Sequence, residues 1–197
     1  MGNALLIDDA EKLSDSLGQL PESVASPAFV VVSGLPGTGK SYFCRKLTEK
    51  FPFIILESDA LRKALFSSPN YSAEESSRLF QAIHNLIERL LKKGISVILG
   101  ATNLSERNRE YLYSIAEHAG IKLIIVRVEA PPELVQARLS RRQEDKESKS
   151  EADWTVYQKM KPTVEKISHR HYVVDTSRDI TPVLEKIARE IRRSSGG

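Results

Sequence analysis

From Phe29 onward the apolar positions fall into two alternating rhythms. "FVVVS" (29–33), "FIIL" (53–56), "ISVILG" (95–100), "KLIIVRVE" (122–129) and "HYVVD" (171–175) are short runs rich in β-branched residues. Such continuous runs are the pattern of strands covered on both faces. Between them, "KSYFCRKLTEKF" (40–51), "DALRKALF" (59–66), "SAEESSRLFQAIHNLIERLLKK" (72–93), "LSERNREYLYSIAEHAG" (104–120), "PPELVQARLSRRQ" (131–143) and "ITPVLEKIAREIRR" (180–193) read as helices, and "EADWTVYQKM" (151–160) reads as helical too. Gly94 and Gly120 stop two of these helices, and a proline in the first turn opens another. Five strands alternating with helices predict an α/β, three-layer sandwich around a five-stranded parallel sheet. Right-handed crossovers would bring the strand C-terminal ends to one edge, where ligands of such sheets bind.

Residues 3–19 carry Leu5, Leu6, Leu13 and Leu17 in a helical pattern, and "LPESVASP" (20–27) interrupts it. The expectation is an N-terminal helix and linker over 1–26, outside the main alternation, followed by one domain over 27–197. A chain of 197 residues suits a single α/β core. With 41% apolar and 28% charged residues and a formal charge of +3, nucleic acid is neither demanded nor excluded. The single cysteine, Cys44, precludes an internal disulfide and reads as buried packing in a reducing compartment. No apolar run approaches the roughly 18 residues of a membrane span. The start "MGNALLIDDAEKL" has early acids, no basic n-region, and Leu6 where a myristoylation pattern needs Ser or Thr. A cytoplasmic protein with no membrane partner is expected.

"GLPGTGKS", Gly34 to Ser41, matches G-x-x-x-x-G-K-[ST] in full, after a predicted strand and before a predicted helix. Successive N–H groups of such a loop form an anion nest, open only where side chains do not intrude. The following helix adds its free N–H groups and the positive end of its dipole. Gly34, Leu35, Pro36, Gly37, Thr38, Gly39, Lys40, Ser41 and Tyr42 are therefore expected to surround the phosphates of a nucleoside triphosphate. Lys40 would bridge the β- and γ-phosphates and Ser41 would ligate Mg²⁺.

The residues elsewhere bear on what happens to the γ-phosphate. The third strand ends "VILGATNLSE", so Gly100, Ala101, Thr102 and Asn103 stand where motor ATPases carry acids. No N-K-x-D base-reading motif is present. An acid follows the second strand instead: Asp59 in "ILESDALRKALF" would face the phosphates and take a proton from an incoming hydroxyl, or cap the helix together with Ser58. Arg62, at i+3, shares its face and would grip an anionic acceptor or stand solvated. "ARLSRRQEDKESKSEADW" is charged and poor in apolar residues, the composition of a moving lid over about 138–162. Within it Arg138 and Arg142 share a helical face with Arg141 alongside, and such an arginine would close over the triphosphate. His169 and His171 lack Cys or Glu partners at metal spacing and read as solvated or capping. His118 suits a helix C-terminus, His84 lies within the long helix, and Trp154 and Tyr157 read as packing. Arg107 and Arg109 are open between acceptor contacts and a solvated face.

With these motifs the chain resembles small P-loop kinases of the zeta-toxin and polynucleotide 5′-kinase type, often labelled AAA-domain ATP-binding proteins, from Phe29 to the C-terminal helix. The likeness rests on "GLPGTGKS", the D-x-x-R of "DALR", "ATNLSERNRE", "APPELVQARLSRR" and "SEADWTVYQKM…HYVVDTS". It implies a P-loop NTPase fold and ATP·Mg²⁺ as phosphoryl donor. Lys40 and Ser41 would be triphosphate and metal contacts, Asp59 general base and metal contact, and Arg62, with Thr102 and Asn103, acceptor contacts. The lid arginine would be Arg142 by its R-L-x-x-R register, with Arg138 the alternative, and the "VVDTS" loop with Thr176 would lie near the adenine. One departure stands out: relatives commonly read D-A-T-N where this chain has Gly100, which weakens the indirect Mg²⁺ contact and leaves more of the metal work to Asp59. The activity implied is transfer of the γ-phosphate to a hydroxyl, on a nucleic-acid 5′ end or a small metabolite. Modest charge and sparse aromatic interleaving do not favour a polynucleotide. The competing reading, supported by Gly100, is an ATPase or nucleotide-gated module acting with a protein partner docked on the 1–26 helix.

Overall fold

The structure, a computed structural model, describes residues 2–102, 105–144 and 153–195. The chain runs α1 (Gly2–Asp15), β1 (Phe29–Gly34), α2 (Lys40–Thr48), β2 (Phe53–Glu57), α3 (Ser58–Leu65), α4 (Ala73–Lys92), β3 (Ser96–Thr102), α5 (Glu106–His118), β4 (Leu123–Glu129), α6 (Pro132–Glu144), α7 (Trp154–Met160), a 3₁₀ turn (Lys161–Thr163), β5 (Tyr172–Asp175) and α8 (Thr181–Ser195). The five strands form one parallel sheet in the order β2-β3-β1-β4-β5. This is the three-layer α/β sandwich that the alternation predicts, with a helical layer on each face of the sheet.

Central β1 shows why the runs are continuously apolar. Phe29 and Val31 face the side that holds α1, α3, α4 and α5, while Val30 and Val32 face α2 and α8. All four are fully buried, so neither face of the strand is free to be polar. A third, smaller cluster joins Val135 and Leu139 of α6 to Tyr157 of α7, with Leu35 and Trp154 against it. Trp154 and Tyr157 stack with ring centroids 4.8 Å apart, a packing role.

Element ends follow local chemistry. Ser72, Ser105 and Asp153 accept hydrogen bonds from N–H groups three residues on and start α4, α5 and α7. Gly94, at φ +76°, ends the α4 region. α2 stops at Thr48 rather than running to Phe51, because Pro52 cannot continue a helix and disfavours helical geometry before it. α3 leaves β2 with no intervening loop, so Glu57 occupies the capping position and Asp59 falls inside the first turn. The capping role open to Asp59 and Ser58 is thereby removed.

The N-terminal helix is not outside the core. α1 lies along α4 and touches α3, and Leu13 is fully buried in the same cluster as Phe29 and Val31. Asp9 is also fully buried, gripped by Arg78 of α4 through Nε at 2.6 Å and Nη2 at 2.7 Å. A buried carboxylate is tolerated only with such a paired, fork-like partner. The side chains of Leu5 and Leu6 lie outside the described residues. Among the described residues no helix is long and apolar enough to cross a membrane.

Candidate functional site at the C-terminal edge of the sheet

The loop between β1 and α2 is shaped by close approach. A Cβ on Gly34 would stand 2.3 Å from the Val128 carbonyl oxygen of β4, so only glycine lets the loop leave the sheet there. Gly39, which precedes the first residue of α2, has φ +99°, and a Cβ would meet Thr176 at 3.0 Å. Thr38 Oγ1 donates to the Leu35 carbonyl at 2.8 Å, and Lys40 Nζ donates to the same oxygen at 3.0 Å. Leu35 and Thr38 thus turn their side chains away from the edge, Leu35 toward α6 and Thr38 into the loop itself. Neither they nor Gly34 line the cavity beside the loop; what they contribute is main chain.

That cavity has a volume of about 1150 Å³. Its walls include Pro36, Gly37, Gly39, Lys40, Ser41 and Tyr42 from the loop and α2, Glu57 to Ala60 from the β2–α3 junction, and Gly100 and Thr102 from β3. α6 adds Arg138, Arg141 and Arg142, and the chain after β5 adds Thr176 and Arg178. With Arg45 from α2, six cationic side chains face two acids, Glu57 and Asp59. Such a positive concavity concentrates polyanions. Burial pushes the Lys40 ammonium down to about 8, against the attraction of Asp59 and with a further push from Arg142. Lys40, Asp59 and Arg142 therefore act on one another across the same space. The Ser41 hydroxyl and the two carboxylates are hard oxygen donors, which is the donor chemistry that Mg²⁺ takes.

The edge is held together from the far end of the chain. Thr176 Oγ1 donates to the Thr38 carbonyl at 2.6 Å. Arg138 Nη1 donates to Thr176 Oγ1 at 2.8 Å and to the Gly37 carbonyl at 3.3 Å, and Nη2 donates to the Thr176 carbonyl at 3.0 Å. Arg138 is thus tied to protein carbonyls, while Arg142 has its charge on the cavity beside Lys40.

Several expected residues stand elsewhere. Arg62 does not line the cavity: it is 7% exposed, ion-paired with Glu75, hydrogen-bonded to Ser76 at 3.2 Å and stacked over Tyr71. Glu75 is held below the usual carboxylate range; burial opposes this, but N–H groups of Asn70 and Tyr71 and the Arg62 guanidinium outweigh it. Arg62 therefore fastens α3 to α4. Arg109 is 2% exposed, paired with Glu106 and bonded to the Lys166 carbonyl at 2.9 Å, so it serves neither acceptor nor solvent. His169 does have acidic neighbours, since folding brings ligand atoms of Glu106, Glu110 and His169 within 4.8 Å of one another. Glu106 is already engaged by Arg109 and Ser168. Asn103 and the lid segment 145–152 lie outside the described residues. Sequence reasoning missed Glu57, Arg45 and Arg178 as cavity residues; the basic residue directly after "VVDTS" was the only local signal for any of them. Cys44 is 1% exposed, and burial pushes its thiol up to about 12.

A family model described as "AAA domain" matches residues 29–167. The chain is 29% identical over 118 residues to an adenylyl-sulfate kinase of Myxococcus xanthus, covering 57% of this chain and 64% of that protein. The fold is similar to the crystal structure of APE1195, with TM-score 0.69 and 21% identity over 87% of this chain and 98% of the other. It is also similar to a gluconokinase from Sinorhizobium meliloti, with TM-score 0.61 and 18% identity over 86% and 94%.

Proposed function

This chain belongs to the AAA domain family, and we propose that it is an ATP-dependent phosphotransferase that moves the γ-phosphate of ATP·Mg²⁺ to the hydroxyl of a small metabolite. The observation that carries the reading is the Asp59 carboxylate on the wall of a strongly cationic cavity that the phosphate loop also lines. A base at that place suits attack by a hydroxyl, and Gly100 leaves β3 without the acids that motor ATPases carry there.

In this reading the main chain of the Gly34–Ser41 loop and Lys40 hold the triphosphate. Ser41 and Asp59 hold the metal, which when bound offsets phosphate charge. Asp59 accepts the acceptor's proton, and Arg142 neutralises charge on the transferring group. Tyr42, Arg138 and Thr176 contact the nucleotide and Thr102 borders the acceptor. The R-L-x-x-R register from Arg138 to Arg142 supports kinship with small kinases of the zeta-toxin and polynucleotide 5′-kinase type. A volume of about 1150 Å³ exceeds the roughly 300–1,000 Å³ of single-ligand pockets, leaving room for a small acceptor beside the nucleotide. The matched relative is itself a kinase of a small adenylyl compound, which supports a metabolite over a polynucleotide. A reducing cytoplasm suits the single buried cysteine.

Labelled ATP presented with a panel of sugars, nucleotides, adenylyl compounds and oligonucleotides tests this. Phosphate should appear on a small hydroxyl compound and vanish with Asp59→Asn. ADP release without any phosphorylated acceptor, unaltered by Asp59→Asn, would establish the nucleotide-gated module instead.

A further inference from the structure

Gly100 leaves the end of β3 without an acid, yet the space it vacates is not apolar. Glu57 of β2 and Gly100 of β3 are paired neighbours in the parallel register. Paired residues of adjacent strands project to the same face of a sheet. A Cβ built on Gly100 would lie 4.0 Å from Glu57 Cγ, 3.9 Å from Cys44 Sγ and 3.9 Å from the Leu56 carbonyl oxygen. The Glu57 side chain therefore occupies the neighbourhood that a side chain at position 100 would enter. It lines the same cavity as Lys40, Ser41 and Asp59, and its charge acts on both Lys40 and Cys44.

We propose that Glu57 supplies from the adjacent strand the carboxylate missing at Gly100, as an outer partner of the metal that Ser41 and Asp59 would hold on the bound nucleotide. The inference rests on the ATP·Mg²⁺ reading above and adds a residue to it. Glu57 is a positioning residue: it touches neither the transferring phosphate nor the acceptor. The absent side chain at Gly100 leaves room for the Glu57 side chain, whose Cγ stands 4.0 Å from where a Cβ at position 100 would be.

Mn²⁺ in place of Mg²⁺ provides a readout independent of turnover. Its affinity for the complex of protein and a non-hydrolysable ATP analogue is measured by electron paramagnetic resonance, and analogue affinity in EDTA by calorimetry. Glu57→Gln should weaken Mn²⁺ about 10-fold or more, as loss of an outer partner of a metal site does, with metal-free analogue affinity changed less than about 2-fold. Gly100→Asp meets only ordinary van der Waals contacts at its Cβ. Combined with Glu57→Ala, it should restore Mn²⁺ affinity to within about 3-fold of the unmodified protein, on the scale of that 10-fold loss. Unchanged Mn²⁺ affinity in Glu57→Gln overturns the inference while leaving the kinase reading intact. So does a folded Glu57→Ala/Gly100→Asp protein that stays as weak as Glu57→Ala alone. Failure of the unmodified protein to bind the analogue at all would overturn both.

Discussion

The two walls of the cavity are built by different means. The phosphate-loop wall is chiefly main chain, with Lys40 and Ser41 at its end, its shape set by glycines at positions where a Cβ would collide, and it is locked by Thr176 and Arg138. The opposite wall, at the β2–α3 junction and the end of β3, is a choice of side chains: Glu57, Asp59, Thr102 and the vacancy of a side chain at Gly100. A wall made of backbone follows from a short contiguous motif. A wall made of side chains depends on which residues the sheet register brings together, and that is where chemistry can change while the loop stays the same.

The sharpest way to break this contrast is to remove one charge from each wall. Lys40→Met should lower phosphoryl transfer by about 10³-fold, and Asp59→Asn by about 10²–10⁴-fold. Only Lys40→Met should also weaken metal-free ATP binding, which calorimetry reads directly. Similar losses of nucleotide affinity in both would show that the walls are not separable.

Leu13→Ala tests whether α1 belongs to the core that supports the side-chain wall. It should cost about 2–5 kcal/mol in urea unfolding, the range for a fully buried leucine. A cost near zero would show that α1 does not support that core.

The loop wall also has a pH signature. On the kinase reading Lys40 binds phosphate in its protonated form, and burial lowers its free ammonium to about 8. Triphosphate charge raises that value on binding, so above pH 8 binding must take up a proton and affinity must fall as pH rises. Calorimetry at pH 8.5 in two buffers of different ionisation enthalpy should show the uptake, and Lys40→Arg should abolish it. The smallest effect is a null: the Cys44 thiol, pushed up to about 12, should resist a thiol reagent at pH 8 until the protein unfolds.

What was legible before folding tracks the same division. The strands, their parallel arrangement and the glycine loop are each carried by contiguous residues, and they appear where the pattern puts them. Arg62 was misread because its partner Glu75 sits on the next helix, and i+3 spacing from Asp59 says nothing of that competitor. The packing of α1 on the core was not legible because Asp9 finds Arg78 across 69 positions of chain. Glu57 was invisible for a third reason: its relation to Gly100 exists only in the pairing of β2 with β3. Helical spacing reports which residues share a face, and tertiary pairing decides which of them are already engaged.

The bond from Thr176 to Thr38 joins positions 138 apart in the chain. During synthesis the N-terminal two-thirds emerges carrying the whole glycine motif but not the threonine that fastens it. A nascent chain stalled short of β5 would hold the motif unclamped, so the final shape of the loop waits for the residues that follow that strand.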